Sequence, residues 1–458
     1  MTGRHDARYY LPKFTRLEER VAARATGKLR DYSRRSAGGA TPKAEEKEKY
    51  YSDDPETGIP FIRVQNLSVS GELSLDDVKL IDLETHHGML ARSHVGPDDL
   101  LTKITGVGRM AVSSVPPAGF QGNINQHLVR IKTKDRHTSE VLAAYLNTDI
   151  AEQLATRRAT GGTRPALDYP ALRSIPIIFD ERILPIAASA RERRNQRLGE
   201  AAALLASIDD YLLSELGITL PPATENTLAN RTFRVSAHEL GGSRFDPTFF
   251  SKEFINLTHA LEERAHKRLG EVCTLSNENW DQVSLFTDTF PYLEISEIDI
   301  GTGAIGTVAE TLISEAPSRA RMIVRQHDIL VSTTRPSRGA ITLADESLEY
   351  PIIASTGFAV IRRVVSELID RAYLFHVLRS KIGLRQMEQR SSGGNYPAIT
   401  STELRRLIIP IPSLDLQHQI VAGCKQRISD ALALRQRAND ELESAKREIE
   451  AILLGEAA

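Results

Sequence analysis

Two stretches of the chain alternate apolar and polar positions at helical spacing for much longer than an ordinary helix. The first is 180–216, DERILPIAASARERRNQRLGEAAALLASIDDYLLSEL, where Leu198, Ala201, Leu205, Ile208, Leu212 and Leu216 step by three or four. The second is 414–454, with a stripe of Ile420, Cys424, Ile428, Ala431, Ala438, Leu442, Ala445, Ile449 and Leu453. Such spacing gathers apolar side chains on one face and leaves a charged face opposite, the pattern of an amphipathic or coiled-coil helix. Gly217 and Gly455 follow as the expected stops. Elsewhere, β-type runs such as PFIRVQNL, HLVRIKT and FAVIRRV, mixed with shorter helical stretches, predict compact α/β parts. Residues 218–232, rich in Pro, Thr and Asn, predict a linker.

The chain also repeats itself. Asp6, Tyr9, Tyr10, Phe14 and Leu17 recur 240 residues on as Asp246, Phe249, Phe250, Phe254 and Leu257, and Leu29 recurs as Leu269. PFIRV (60–64) lies over PYLEI (291–295), and DDLLTKITGVGRMAV (98–112) over HDILVSTTRPSRGAI (327–341). TGGTRPALDYPALRSIPI (160–177) lies over SGGNYPAITSTELRRLII (392–409). Each repeat is therefore a globular part followed by a long helix. A helix of ~37–40 residues spans ~55–60 Å, and nothing inside its own repeat is long enough to cover its stripe. Packing the two helices together covers both, and a pseudo-two-fold relation makes them antiparallel. The expected fold class is α/β (α+β), with two similar mixed domains separated by two long antiparallel coiled-coil helices. The expected divisions are 1–179, a long helix at 180–217, the linker at 218–232, a second domain at 233–412, and the second helix region at 413–458.

Composition adds limits. The chain has 458 residues, 41% hydrophobic and 26% charged, with a formal net charge of −2, ordinary for a globular protein with room for two cores. It has no apolar run of membrane-spanning length, and its start, MTGRHDARYYLPKF, lacks the apolar stretch of a secretory signal. Two cysteines, Cys273 and Cys424, cannot build a disulfide framework, which points to the cytoplasm. The balanced charge excludes nucleic-acid binding through a basic tail but not through a local basic face. Lys103–Arg173 holds ten Lys/Arg against five Asp/Glu, and Arg319–Arg406 fourteen against eight.

Basic loops mixed with amides and hydroxyls suit phosphate contacts and base-edge reading. The candidate DNA-binding residues are Lys103, Thr105, Arg109, Asn123, Asn125, Gln126 and Arg164 in the first repeat. In the second they are Ser332, Thr334, Arg335, Ser337, Arg338, Asn395 and Tyr396. The framework is kept while the loops change, ITGVGRM to TTRPSRG and GTRP to GNYP, as expected of two readers of different sequences or of plain divergence after duplication. Leu198, Leu205, Ile208, Leu212, Ile428, Leu442, Ile449 and Leu453 are the candidates for helix packing and partner contact.

No catalytic set emerges. Gly106-x-Gly108-x-x-Ala111 resembles a dinucleotide fingerprint, but a strand-like MAVSSV follows where a helix is required. His86, His87 and His94 lie near one another without a Cys or carboxylate at ligand spacing, so no metal site is expected. Asp98, Asp99 and Lys103 lack the third acid of a nuclease set, and EEKEKYY (45–51) reads as a solvated segment. Phosphate-binding GxxxxGK[ST] loops and Gly-x-Ser-x-Gly elbows are absent. A protein-binding helical scaffold and a stand-alone nuclease or methyltransferase stay open as alternatives.

The ordered set GIPFIRVQNLS, DDLLTKITGVGR, NINQHLVRI and ATGGTRPAL is followed by TFPYLEISEID, HDILVSTTRPSRG, SSGGNYPAI and LIIPIPSLDLQHQI. Over about 8–455 this set resembles the specificity (S) subunit of type I restriction–modification systems. Pro410, Pro412 and Gln417–Gln419 leading into the second helix are especially typical, whereas the first copy departs at SIPIIFDERILPI. The resemblance implies two target-recognition domains, each reading half of a split double-stranded DNA target. It implies that the helices fix the unread spacer and dock two methyltransferase (M) subunits, which a restriction motor-nuclease (R) subunit joins. S-adenosylmethionine and all catalysis would belong to those partners, with no cofactor in this chain and no membrane involved.

Overall fold

The structure, a computed structural model, describes residues 7–43, 46–222, 225, 227–235 and 245–456. Asp6, Glu45, residues 223, 224 and 226 of the expected linker, and residues 236–244 of the expected second domain lie outside them. The chain divides into two compact units, Met1–Leu198 with Arg435–Ala458, and Gly199–Leu434. Each is mixed α/β and holds one end of both long helices, Ile183–Leu216 and Leu414–Leu454. No helix among the described residues is long and apolar enough to cross a membrane.

In the first unit an antiparallel sheet runs in the order Arg35–Gly38, Leu128–Lys132, Leu100–Lys103, Ser113–Ser114. A second sheet joins Tyr51–Ser52, Lys79–Ile81, Ile59–Ile62, Gly122–Ile124 and His94–Val95, with Ile59–Ile62 parallel to Gly122–Ile124. The second unit repeats this plan. One sheet runs Cys273–Leu275, Phe358–Val364, Ile329–Ser332, Ile341–Leu343, and the other runs Ala309–Leu312, Thr289–Leu293, Ile352–Ser355, Ala320–Val324. Here too a single pair, Thr289–Leu293 with Ile352–Ser355, is parallel. A short ladder closes each unit, Gly27–Lys28 with Pro176–Ile177 and His266–Arg268 with Ile408–Pro410.

The duplication reaches individual bonds. Buried Tyr145 donates its hydroxyl to the Pro176 carbonyl at 2.8 Å, and buried Tyr373 to that of Pro410 at 3.0 Å. Asp99 accepts the Gly96 amide and faces Arg130, while Asp328 accepts the Arg325 amide and binds Arg362 at 2.6 Å. Asp135 and Asp370 cap Arg136–Leu146 and Arg371–Arg379, and Thr148 and Ser380 cap Asp149–Arg158 and Lys381–Arg390. A carboxylate on a long helix then supports the same helix start in each unit. Glu450 accepts the Asp149 amide at 2.5 Å, and Asp209 accepts the Lys381 amide at 2.9 Å. Burial raises the pKa of both carboxyls, against those amide bonds.

Within the first unit Ile183 shares a core with Ile449 and Leu453, while Arg193 and Arg197 both bind Glu441 at 2.7 Å, so the helix segments run antiparallel. Within the second, Glu215 bonds Gln419 and Tyr211 lies over Gly423 and beneath Arg427, again antiparallel. Leu212, Ile449 and Leu453 are buried; Leu198, Leu205, Ile208, Ile428 and Leu442 are half-buried. Both helices end at glycines with φ of +60° (Gly217) and +70° (Gly455). The Ile218 and Glu456 amides reach back to the Leu213 and Ala451 carbonyls, satisfying groups the last turn would leave bare.

Candidate functional site

The two units present one loop arrangement twice. Leu100–Lys103 and Ile329–Ser332 are wholly buried strands flanked on both sides, so the loop leaving each starts from a rigid base. A second loop pins it. Thr105 bridges Ala166 and Thr334 bridges Ala398; the Gly106 amide donates to Pro165 at 3.0 Å and that of Arg335 to Pro397 at 2.7 Å. The second loop is closed by reciprocal bonds, Thr160 with Ala166 (2.9 and 2.7 Å) and Ser392 with Ala398 (2.9 and 2.8 Å). Gly161 and Gly393 turn it at φ of +95° and +105°. A Cβ there would lie 2.9 and 3.0 Å from the Arg164 and Tyr396 carbonyl oxygens, so the turn requires glycine. The exposed tips of these frames differ: Thr163-Arg164 in one, Asn395-Tyr396 in the other.

The candidates separate into two groups. In the second unit Thr334, Arg335, Ser337, Arg338, Asn395 and Tyr396 gather on the paired loops. The Arg335 guanidinium stacks 4.3 Å from the centre of the Tyr396 ring and donates to the Asn395 carbonyl at 3.0 Å. Tyr396 is 71% exposed, an uncommon placement for an aromatic ring. Ser337 and Arg338 are exposed, whereas Ser332 is fully buried with its hydroxyl on the Thr334 carbonyl.

In the first unit Arg164 and Gln126 are exposed and Thr105 is half-buried. The other four hold the frame. Lys103 is 5% exposed and donates Nζ to the Val107 carbonyl at 2.6 Å, with burial lowering its pKa. Asn123 is fully buried, and Asn125, also buried, caps the His127 amide. Arg109 binds Asp149 at 2.5 Å and the Asn147 carbonyl at 2.6 Å. Asp149 is also held by Lys446 at 3.2 Å. Partial burial opposes ionisation of Asp149, but Arg109 and then Lys446 hold its carboxyl below the ordinary range.

Much of the basic excess is likewise paired internally. Arg157 and Arg158 bind Glu18, Arg385 binds Glu253 and Arg390 binds Glu403. Arg362 bridges Asp328 and Glu278. Arg164 and Arg338 are exposed and have no ion-pair partner among the described residues. Both sit on the paired loops, while Lys132, Lys134, Arg173, Arg363 and Arg405 are also exposed elsewhere in the two units.

Three framework residues were outside the candidate set. Gln417, fully buried, accepts the Asp370 amide and donates to the Leu368 and Pro412 carbonyls, locking the second long helix to its unit. Its Pro-x-x-x-x-Gln spacing was the available signal. Tyr211 and Gly423 form a close helix crossing, since a Cβ on Gly423 would lie 2.3 Å from the tyrosine oxygen. Isolated glycine in a helical stripe is the sign of such an approach.

Comparison with known proteins gives consistent matches. Residues 262–444 match the family described as type I restriction modification DNA specificity domain. The chain is similar to the type I restriction enzyme MjaVIII specificity subunit of Methanocaldococcus jannaschii, 23% identical over 195 residues. That alignment covers 41% of this chain and 44% of the relative, so the chain matches less than half of that protein's length. One solved structure, reported for complex assembly and conformational transition of the type I R-M system, has 19% identity, a TM-score of 0.41 and coverage of 92% and 96% of the two chains. The HsdS subunit of Thermoanaerobacter tengcongensis gives 17%, 0.34, and 93% and 94%. The type I S subunit of M. genitalium gives 13%, 0.36, and 93% and 94%.

Proposed function

With residues 262–444 matching the family described as type I restriction modification DNA specificity domain, we propose that this chain is the DNA sequence-recognition subunit of a type I restriction–modification complex. The observation that carries the reading is one loop frame built twice, with matching glycines, prolines and backbone bridges, and with different exposed side chains at its tips. Target-recognition domains at 1–179 and 233–412 would each read one half of a split double-stranded target. Arg164 and Arg338 supply phosphate or guanine contacts, and Asn395, Gln126 and Tyr396 supply amide and ring contacts to bases. Arg109, Lys103 and Asn123 act behind them as supports.

The long helices, about 51 and 62 Å at 1.5 Å per residue, set the spacer and dock two M subunits; R subunits join that assembly. The chain itself is non-catalytic, works in the cytoplasm, and leaves S-adenosylmethionine to the M subunits. Requiring both halves multiplies specificity because the second engagement is intramolecular.

The test is a loop exchange. Replacing GTRP (162–165) by GNYP should alter one half of the methylated motif and leave the other half and the spacer intact. An unchanged motif in a folded, assembled complex contradicts the assignment. DNA affinity of the assembled complex should also fall with salt, by about 0.9 in log–log slope per phosphate contact; a flat response would favour a protein-binding scaffold.

A further inference from the structure

The fold brings together three imidazoles whose spacing along the chain suggests no ligand set. His86 and His87 end the helix Leu83–His87, and His94 lies on the strand His94–Val95, in register with Asn123. The His86 and His94 rings stack at 3.9 Å, with His87 at 4.7 Å from His86 and 5.9 Å from His94. One ring nitrogen from each residue can be chosen so that all three lie within 4.8 Å of one another.

The hydrogen bonds around the rings fix which nitrogens are bare. Asn123 donates its amide nitrogen to the Leu90 carbonyl (2.9 Å) and the Ser93 hydroxyl (3.1 Å), so its oxygen must face His86 Nδ1 at 2.5 Å. That oxygen only accepts, so His86 is protonated at Nδ1 and its Nε2 keeps a lone pair. His94 Nε2 lies 2.7 Å from the His86 carbonyl, so it donates and His94 Nδ1 is bare. A ring held by an N–H bond to an amide or carbonyl, with the other nitrogen open, is the arrangement of metal-ligating histidine. Burial disfavours the charged form of His86, the Asn123 bond opposes this, and His94 and His87 add to it.

We propose that His86, His87 and His94 form a three-imidazole binding site for a divalent transition metal ion of the zinc class. Nitrogen donors favour Zn²⁺, Co²⁺, Ni²⁺ or Cu²⁺ over Mg²⁺ and Ca²⁺, which require oxygen. Three protein ligands leave a further position for water or an added ligand. Tetrahedral coordination at about 2.0–2.1 Å draws ligand nitrogens to about 3.3 Å apart. A bound ion lies in the plane of each ligating ring, so the His86 and His94 rings, stacked 11° from parallel, tilt apart on binding while exposed His87 swings inward. The ion would tie the end of Leu83–His87 to the sheet edge and hold Asn123 as the supporting partner. This site is independent of the DNA-recognition reading.

The test uses the full chain without a polyhistidine tag, stripped by chelator and titrated with Zn²⁺ and Co²⁺. One equivalent should bind in the presence of excess Mg²⁺, Co²⁺ should give the visible absorption of a nitrogen-ligated site, and Zn²⁺ should raise the melting temperature reversibly. His87→Ala, which changes an exposed side chain, and His94→Ala should each weaken binding roughly tenfold or more, with folding checked by melts in chelator. Substoichiometric binding to the wild-type chain, displacement by Mg²⁺, or equal affinity in folded His87→Ala would overturn the proposal.

Discussion

Arg109 and Arg338 occupy matching positions in the two repeats, yet substitution by alanine should affect different properties. Arg109 lies against Asp149, the first residue of a helix capped by Thr148. The matching helix, capped by Ser380, begins with Lys381, so Arg338 meets no carboxylate there and is exposed. Arg109→Ala removes an ion pair whose carboxylate is 45% exposed, together with a charge-assisted bond to the Asn147 carbonyl. Discounting the pair for solvent screening, the loss is about 1–2 kcal/mol. For a unit of this size that lowers the melting temperature by about 2–8 °C. Arg338→Ala should change stability by no more than about 0.5 kcal/mol. It should weaken binding of the assembled complex to its target about 5- to 150-fold if the residue grips a base, the equivalent of about 1–3 kcal/mol. If it grips phosphate, binding weakens across all sequences and the salt slope falls by about one. Differential scanning fluorimetry and titration of labelled duplex separate these outcomes. Equal melts for the two variants, or unaltered DNA binding by Arg338→Ala, would refute the assignment of roles.

Acid should reveal the same network. The folded Asp149 carboxyl titrates below its unfolded value, so its stabilising contribution is present above about pH 4 and lost as pH falls through the lower folded value; Arg109→Ala should flatten that part of the stability–pH curve, measured by urea titration. Tyr145→Phe and Tyr373→Phe each leave a proline carbonyl without its partner and should cost about 1–2 kcal/mol in denaturant unfolding, with the target sequence unchanged. Inserting four residues, about one helical turn, at matched positions in both long helices should change the permitted spacer while both half-sites remain, as read from the methylated motif.

The repeat was legible because its conserved spacing belongs to residues that build the frame. Asp99 and Asp328 close turns, Gly161 and Gly393 adopt a backbone that rejects a Cβ, and Pro165-Ala166 and Pro397-Ala398 supply the bridges. The long helices were legible in their stripes and terminal glycines. What the sequence concealed was occupancy. Residue type and basic balance marked Arg109, Lys103 and Asn123 as available, but whether an arginine is free depends on a neighbour distant along the chain, here Asp149. The exchange of Asp149 for Lys381 between the repeats was a visible clue that the two arginines differ. His86, His87 and His94 were visibly near one another along the chain, but the approach of their rings was not, since a short helix and a strand bring them together only in the folded unit.

If this chain selects a split DNA sequence for modification by partner subunits, the genome carries the record of that choice. Single-molecule sequencing of methylated adenine in cells with and without the gene tests it most directly. The expected result is a motif of two short specified parts separated by a fixed unspecified spacer, present with the gene and lost without it. An identical methylation pattern in both strains, with the partner methyltransferase expressed, would contradict it.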